Sequence, residues 1–194
     1  RRATAALVAA VRGIPGLRVV GEPVGPMLAV AADPDAPDAE RVAPHLWADA
    51  VARRGFVLQP QPGLAQPDGP ALPRTTHLTV TPVTERVLGE LVPALEAAAD
   101  EVRGQSPIDG AGLLAGLAGA GEAGAAVGAV LDGAITGRAP LDSDSAAVLL
   151  RAFGIHPGAA LPDDAAPLLA AVEALPAHLA ERLLVEVLAR AVEP

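Results

Sequence analysis

Cysteine is absent from this 194-residue chain, which excludes disulfides, thiolate metal ligands and cysteine nucleophiles. Lysine is absent too, since all 14 basic residues are Arg. A Schiff-base lysine, a phosphate-loop lysine and a lysine general base are therefore ruled out. Aromatic residues make up 2% of the chain (Trp47, Phe56 and Phe153, with no Tyr). A core must then be built from Ala, Val and Leu, and the stacking platforms that hold single-stranded nucleic acid are missing. The four His residues, at 45, 77, 156 and 178, lie far apart without HxH or HxxxH spacing, so they predict no metal site. No unbroken apolar run of about 18 residues occurs, so no membrane span is expected. Without a signal-peptide pattern, the expected location is cytoplasmic.

What is present is apolar and acidic. An apolar share of 51% is enough to bury a core, in one domain or two small ones. The net charge of −9 offers no basic stripe for a phosphate backbone, so nucleic acid is not an expected partner. The chain opens on Arg1-Arg2 inside a helical pattern. With the absence of Lys, this leads us to expect a fragment of a larger polypeptide.

The stretch from Gly55 to Val83 is the least generic. Phe56 to Gln59 and His77 to Thr81 read as strands, being rich in β-branched and aromatic residues and bounded by Gly and Pro. A helix is expected after them, capped by Thr84, with Val87, Leu88, Leu91 and Leu95 on one face and an end near Arg103. Upstream, residues 1 to 12 predict a helix through Leu7, Val8 and Val11, stopped by Gly13-Ile-Pro-Gly16. Leu17 to Val20 and Met27 to Ala32 predict an antiparallel hairpin. Asp33 to Asp38 reads as a solvated acidic loop ending in a cap for a helix over Glu40 to Arg54. In that helix Val42, Leu46, Trp47, Ala50 and Val51 face inward, Gly55 sits at C′, and Arg53-Arg54 complement the helix dipole. The expected fold class is α+β, a small, mostly antiparallel sheet covered by helices on one face, followed by an all-α tail. We place the boundary between residues 1–103 and 104–194.

The tail is marked by Gly at 110, 112, 116, 119, 121, 124, 128, 133 and 137. We attribute these to Ala/Gly bias rather than to small-residue packing motifs. Helices are expected over 112–117, 122–135, 142–153, 163–175 and 176–192. Asp142 or Ser143, Asp144 and Asp163-Asp164 lie at their starts, where capping accounts for them. The last helix presents Leu179, Leu183, Leu184, Val187, Leu188 and Ala191.

No Gly-x-Ser-x-Gly, GxGxxG or GxxxxGK[ST] motif stands in a strand-turn-helix context, so self-contained catalysis is not expected. The candidate substrate contacts are Arg74 and His77. Arg74 closes a loop stiffened by Pro60, Pro62, Pro67, Pro70 and Pro73, and its guanidinium can fork onto a carboxylate or phosphate. His77 stands three residues further on, where a structural hydrogen-bonding role is the commoner one.

Three motifs, taken in order, resemble the C-terminal small domain of fold type I pyridoxal-phosphate enzymes. They are Val19-Val-Gly-Glu-Pro23, Arg54-Gly-Phe-Val-Leu58 and His77-Leu-Thr-Val-Thr81. The pattern is most similar to the group II decarboxylase and sphingosine-1-phosphate lyase-like branch. It covers residues 1–103, with Phe56 where the family usually has Trp and with a long loop from Gln59 to Thr76. The resemblance implies a homodimeric parent enzyme, a carbon–carbon lyase or decarboxylase acting on an amine or amino acid, with pyridoxal phosphate as electron sink. It also implies that the cofactor lysine and ring contacts belong to a large domain not contained in these residues, so the cofactor is not bound by this chain alone. The large domain of the parent chain is then the partner. The competing expectation is a stand-alone, non-catalytic α+β regulatory or dimerisation module.

Overall fold

The computed structural model describes residues 2–64, 66, 69–157 and 162–192, which form two compact units, 1–107 and 108–194. The first is built from α1 (Arg2–Arg12), β1 (Leu17–Val19), β2 (Met27–Ala32), α2 (Pro44–Ala52), β3 (Gln59–Gln61), β4 (Thr75–Thr79) and α3 (Pro82–Val102). Its sheet has the order β1-β2-β4-β3, and every pairing is antiparallel. Side chains alternate across a strand, so Leu17, Leu28, Val30, Thr76 and Leu78 share one face. There they meet Leu7, Val11, Trp47, Leu91 and Leu95 of the helices, all buried. Arg18, Met27, Ala29, Thr75, His77 and Thr79 lie on the opposite face. This is the expected α+β fold.

Several element boundaries differ from the expectation. The second helix starts at Pro44, not Glu40: Val42 N–H donates to the distant Gly16 O, which draws the chain out of helix before Pro44. Asp38 is not its cap but pairs with Arg41 at 2.7 Å. Arg41 also donates to the carbonyls of Asp33, Pro34 and Ala36, so one guanidinium organises the acidic loop. The first strand of the central stretch is Gln59–Gln61, not Phe56–Gln59. Phe56 N–H donates to Val51 O while Gly55 takes φ +89, a left-handed termination of α2 that consumes the start of the expected strand. The second strand is Thr75–Thr79. Thr81, not Thr84, caps α3: Thr84 N–H donates to Thr81 Oγ1 at 3.4 Å and Thr81 N–H to Thr84 Oγ1 at 3.0 Å, a reciprocal box followed by Pro82 in the first turn.

The second unit contains α4 (Gly110–Ala118), α5 (Gly121–Ile135), α6 (Ser143–Ala152), α7 (Ala166–Glu173) and α8 (Ala177–Val192). Their core joins Val127, Leu131, Leu149, Leu150, Leu175 and Leu183. Gly110 is not mere compositional bias, because a methyl group there would overlap the Ala170 carbonyl where α4 meets α7. Asp142 caps α6 as expected, accepting from Ser145 N–H at 2.9 Å. The N-cap position of α7 is Ala165, which makes no side-chain cap bond. On α8, Leu179, Leu183 and Val187 are buried, but Leu188 is 66% exposed and Glu186 and Arg190 are inside. The Ala191 side chain lies outside the described residues.

Candidate functional site

Among the described residues, the stretch between Gln59 and Thr76 runs as two paired limbs, a β-hairpin arm. β3 and β4 pair Gln59 with His77 and Gln61 with Thr75. Beyond them Leu64 and Leu72 exchange backbone hydrogen bonds at 3.0 and 2.8 Å, extending the arm. β3 is an edge strand, where Pro60 is tolerated because an edge residue can do without a ladder donor. Pro67 lies outside the described residues.

His77 is half-buried on β4 opposite Ala29, with its Nε2 3.3 Å from Thr75 Oγ1. Arg74, also half-buried, directly precedes β4, and a methyl on Gly63 would come within 3.7 Å of its Cγ. The guanidinium stem therefore runs along the opposing limb of the arm. Arg74 is in phase with Thr76 and Leu78, His77 with Thr75 and Thr79, so strand alternation does not bring the two candidates onto one face. They share the arm, but not a pocket wall.

The sequence reading missed the base of the arm. Thr76 is fully buried and its Oγ1 donates to Pro44 O at 2.7 Å. The next residue of α2, His45, is 5% exposed, and its Nε2 lies 2.8 Å from Gln61 O. A carbonyl only accepts, so Nε2 carries a proton. Two consecutive residues in the first turn of α2 thus hold both strands of the arm. The signal available in sequence was weak: a lone His after Pro44, with nothing to say which strand it would meet.

A cleft of about 910 Å³ lies elsewhere in residues 1–107, among Val8, Arg12, Pro23, Pro26, Thr81 and Glu85. It is flanked by the exposed ion pairs Arg12–Glu22 at 3.1 Å and Arg2–Glu85 at 3.4 Å, and neither Arg74 nor His77 lines it. Among the described residues no group of three His, Asp or Glu side chains could hold a metal ion. Arg53 and Arg54 do more than face a helix dipole, because both clamp Glu101 of α3, at 2.8 and 2.7 Å. These hydrogen bonds, Arg53 ahead of Arg54, hold the Glu101 carboxyl below its ordinary pKa.

A second charged group lies in residues 108–194. Glu186 accepts from Arg190, from Arg182 at 2.6 Å and from Ser143 Oγ at 2.8 Å, and Arg190 also donates to Ser143 O at 3.0 Å. Arg190, more than Ser143, holds the Glu186 carboxyl below its ordinary value. The group ties α6 to α8, so it reads as a structural lock.

No helix among the described residues is long and apolar enough to cross a membrane. Comparison with curated proteins and with solved structures returns no match. Residues 122–190 match the family described as "Pyridoxal-dependent enzyme, C-terminal putative HTH domain". The match supports a C-terminal region of a pyridoxal-dependent enzyme.

Proposed function

We propose that this chain is the C-terminal part of a pyridoxal-phosphate-dependent carbon–carbon lyase or decarboxylase acting on an amine or amino acid. In this reading residues 1–103 are the small domain that covers the active site of a large domain, residues 104–194 are its helical extension, and the enzyme works as a cytoplasmic homodimer. The observation that carries it is the pyridoxal-dependent family match over residues 122–190, which follows an α+β unit bearing the three motifs that resemble the small domain. The residues present do not fit the covalent tether of the cofactor, since the 194 residues contain no Lys. What they offer is an arm that carries Arg74 and His77 on opposite faces, each a separate candidate for meeting substrate held by another domain.

The test uses the intact protein that carries this chain. Borohydride reduction followed by peptide mapping should place a pyridoxyl group on a Lys outside these residues. Loss of Arg74 by Arg74→Ala should raise KM about tenfold with kcat largely kept, the mark of a lost charge-assisted contact. A protein with no reducible pyridoxyl-lysine would overturn the enzyme reading, and an unchanged KM would remove Arg74 from the site.

The matched family's description names a helix-turn-helix, and α7 and α8 are joined by only Ala174, Leu175 and Pro176. Charge argues for a packing role rather than nucleic-acid reading. Residues 108–194 carry 11 acidic residues against four Arg, and Arg138, Arg182 and Arg190 are already paired with Asp132 and Glu186. A labelled duplex titrated at about 50 mM salt should show no binding up to about 10 μM protein, conditions that favour any basic reader.

A further inference from the structure

We propose that His45 and Thr76 are positioning residues that latch the β3–β4 arm, and with it Arg74 and His77, to the N-terminal turn of α2. The importance of the latch for turnover rests on the proposed function, whereas its existence does not. The arm needs such an anchor. β3 is three residues long, contains Pro60, pairs only with β4 and lies at the sheet edge, so its ladder supplies few hydrogen bonds. α2 provides the missing constraint through two successive residues: Pro44 O accepts from the Thr76 hydroxyl at 2.7 Å, and the His45 ring donates to Gln61 O at 2.8 Å.

Both side chains are buried, Thr76 completely and His45 to within 5%. A partner lost there leaves a polar group unpaired away from water, which costs more than the loss of an exposed bond. Pro44 fixes its own φ at the first helical turn, so the carbonyl and the ring that follow it start from a rigid base. The two bonds engage opposite limbs of the hairpin, Gln61 on β3 and Thr76 on β4. One alone would permit the arm to pivot, and the pair sets its angle to the sheet.

The absence of Lys makes trypsin a clean probe, since within these residues it cuts only after Arg. The Arg74–Thr75 bond reports opening of the arm, and Arg86–Val87, inside α3, reports opening of the whole unit. In the intact protein, His45→Leu should raise the rate at Arg74–Thr75 relative to Arg86–Val87 about fivefold or more, the effect of one lost buried hydrogen bond. His45→Gln, whose amide can still donate to Gln61 O, should stay near the parent rate. An unchanged ratio in His45→Leu, or a His45→Gln variant that nicks as fast as His45→Leu, overturns the latch. Should His45→Leu fail to fold, Thr76→Val, nearly isosteric and lacking only the donor, is judged by the same ratio. The cleavage pattern is read without turnover, so it stands or falls apart from the borohydride result.

Discussion

The two units solve the same problem with different materials. Residues 1–107 hold 12 acidic residues and 10 Arg, while residues 108–194 hold 11 acidic residues and four Arg. In the first unit Arg side chains are spent on backbone carbonyls and surface carboxylates: Arg41 ties a loop, Arg103 donates to Pro15 O, and Arg53 and Arg54 clamp Glu101. A sheet, with Trp47 packed against α3, forms the core beneath them. In the second unit there is no sheet among the described residues, and helices approach closely where Gly110 removes a side chain. Its most constrained charges, Glu186 and Arg190, are inside. The lesson is that a chain with few aromatic residues can anchor a layered unit on one large side chain. An all-helical unit without a fully buried aromatic packs a Val/Leu core and adds small-residue contacts and one internal charge group.

Three experiments would break or sharpen this contrast. The largest effect is expected at Trp47, which is fully buried and donates from Nε1 to Leu95 O at 2.9 Å. Trp47→Ala should cost about 3–5 kcal/mol in chemical denaturation followed by circular dichroism, and a loss within experimental error would show that the first unit does not depend on a single anchor. Next comes Glu186→Ala, which leaves Arg190 buried beside an empty position and should cost about 3 kcal/mol. Glu101→Ala, which breaks half-exposed pairs with Arg53 and Arg54, should cost clearly less. Equal losses in the two variants would erase the distinction between a surface clamp and an internal lock.

The smallest effect is a pH dependence. The folded-state pKa of Glu186 is depressed from its ordinary 4.5, so its stabilisation is fully present above that value and is lost as pH falls through the folded-state pKa. Acid titration of stability should therefore show a decline beginning below about pH 4.5, and Glu186→Gln should flatten it. An unaltered acid limb in that variant would assign the decline to other carboxylates.

Much of the α+β order was legible because its signals are local. Met27 to Ala32 is an uninterrupted apolar run, Gly55 ends a helix by its backbone freedom, and Asp142 precedes a helix it caps. The misplaced boundaries have separate causes, one local and one tertiary. Thr84 and Thr81 are both competent caps, and the choice fell to Thr81 because Pro82 can occupy only the first turn of the helix that follows. Glu40 to Ala43 read as helical until Gly16 O claimed the Val42 N–H. Of the candidate site, Arg74 and His77 were visible as residue types on a proline-rich stretch, but their opposite phases on an extended hairpin were not. Glu186 and Arg190 were read past, because charges four apart on a helix usually face water.

By itself the sequence determined what this protein cannot tether, what it must build its core from, and the alternation of strands and helices through residue 103, since residue chemistry and short-range periodicity suffice for each. Only the tertiary structure decided that the arm is a hairpin pinned by His45 and Thr76 to α2, and that Glu186 lies inside. Those outcomes depend on groups 16, 32 and 43 positions apart meeting in space, and no local pattern encodes which distant donor will find which carbonyl or carboxylate.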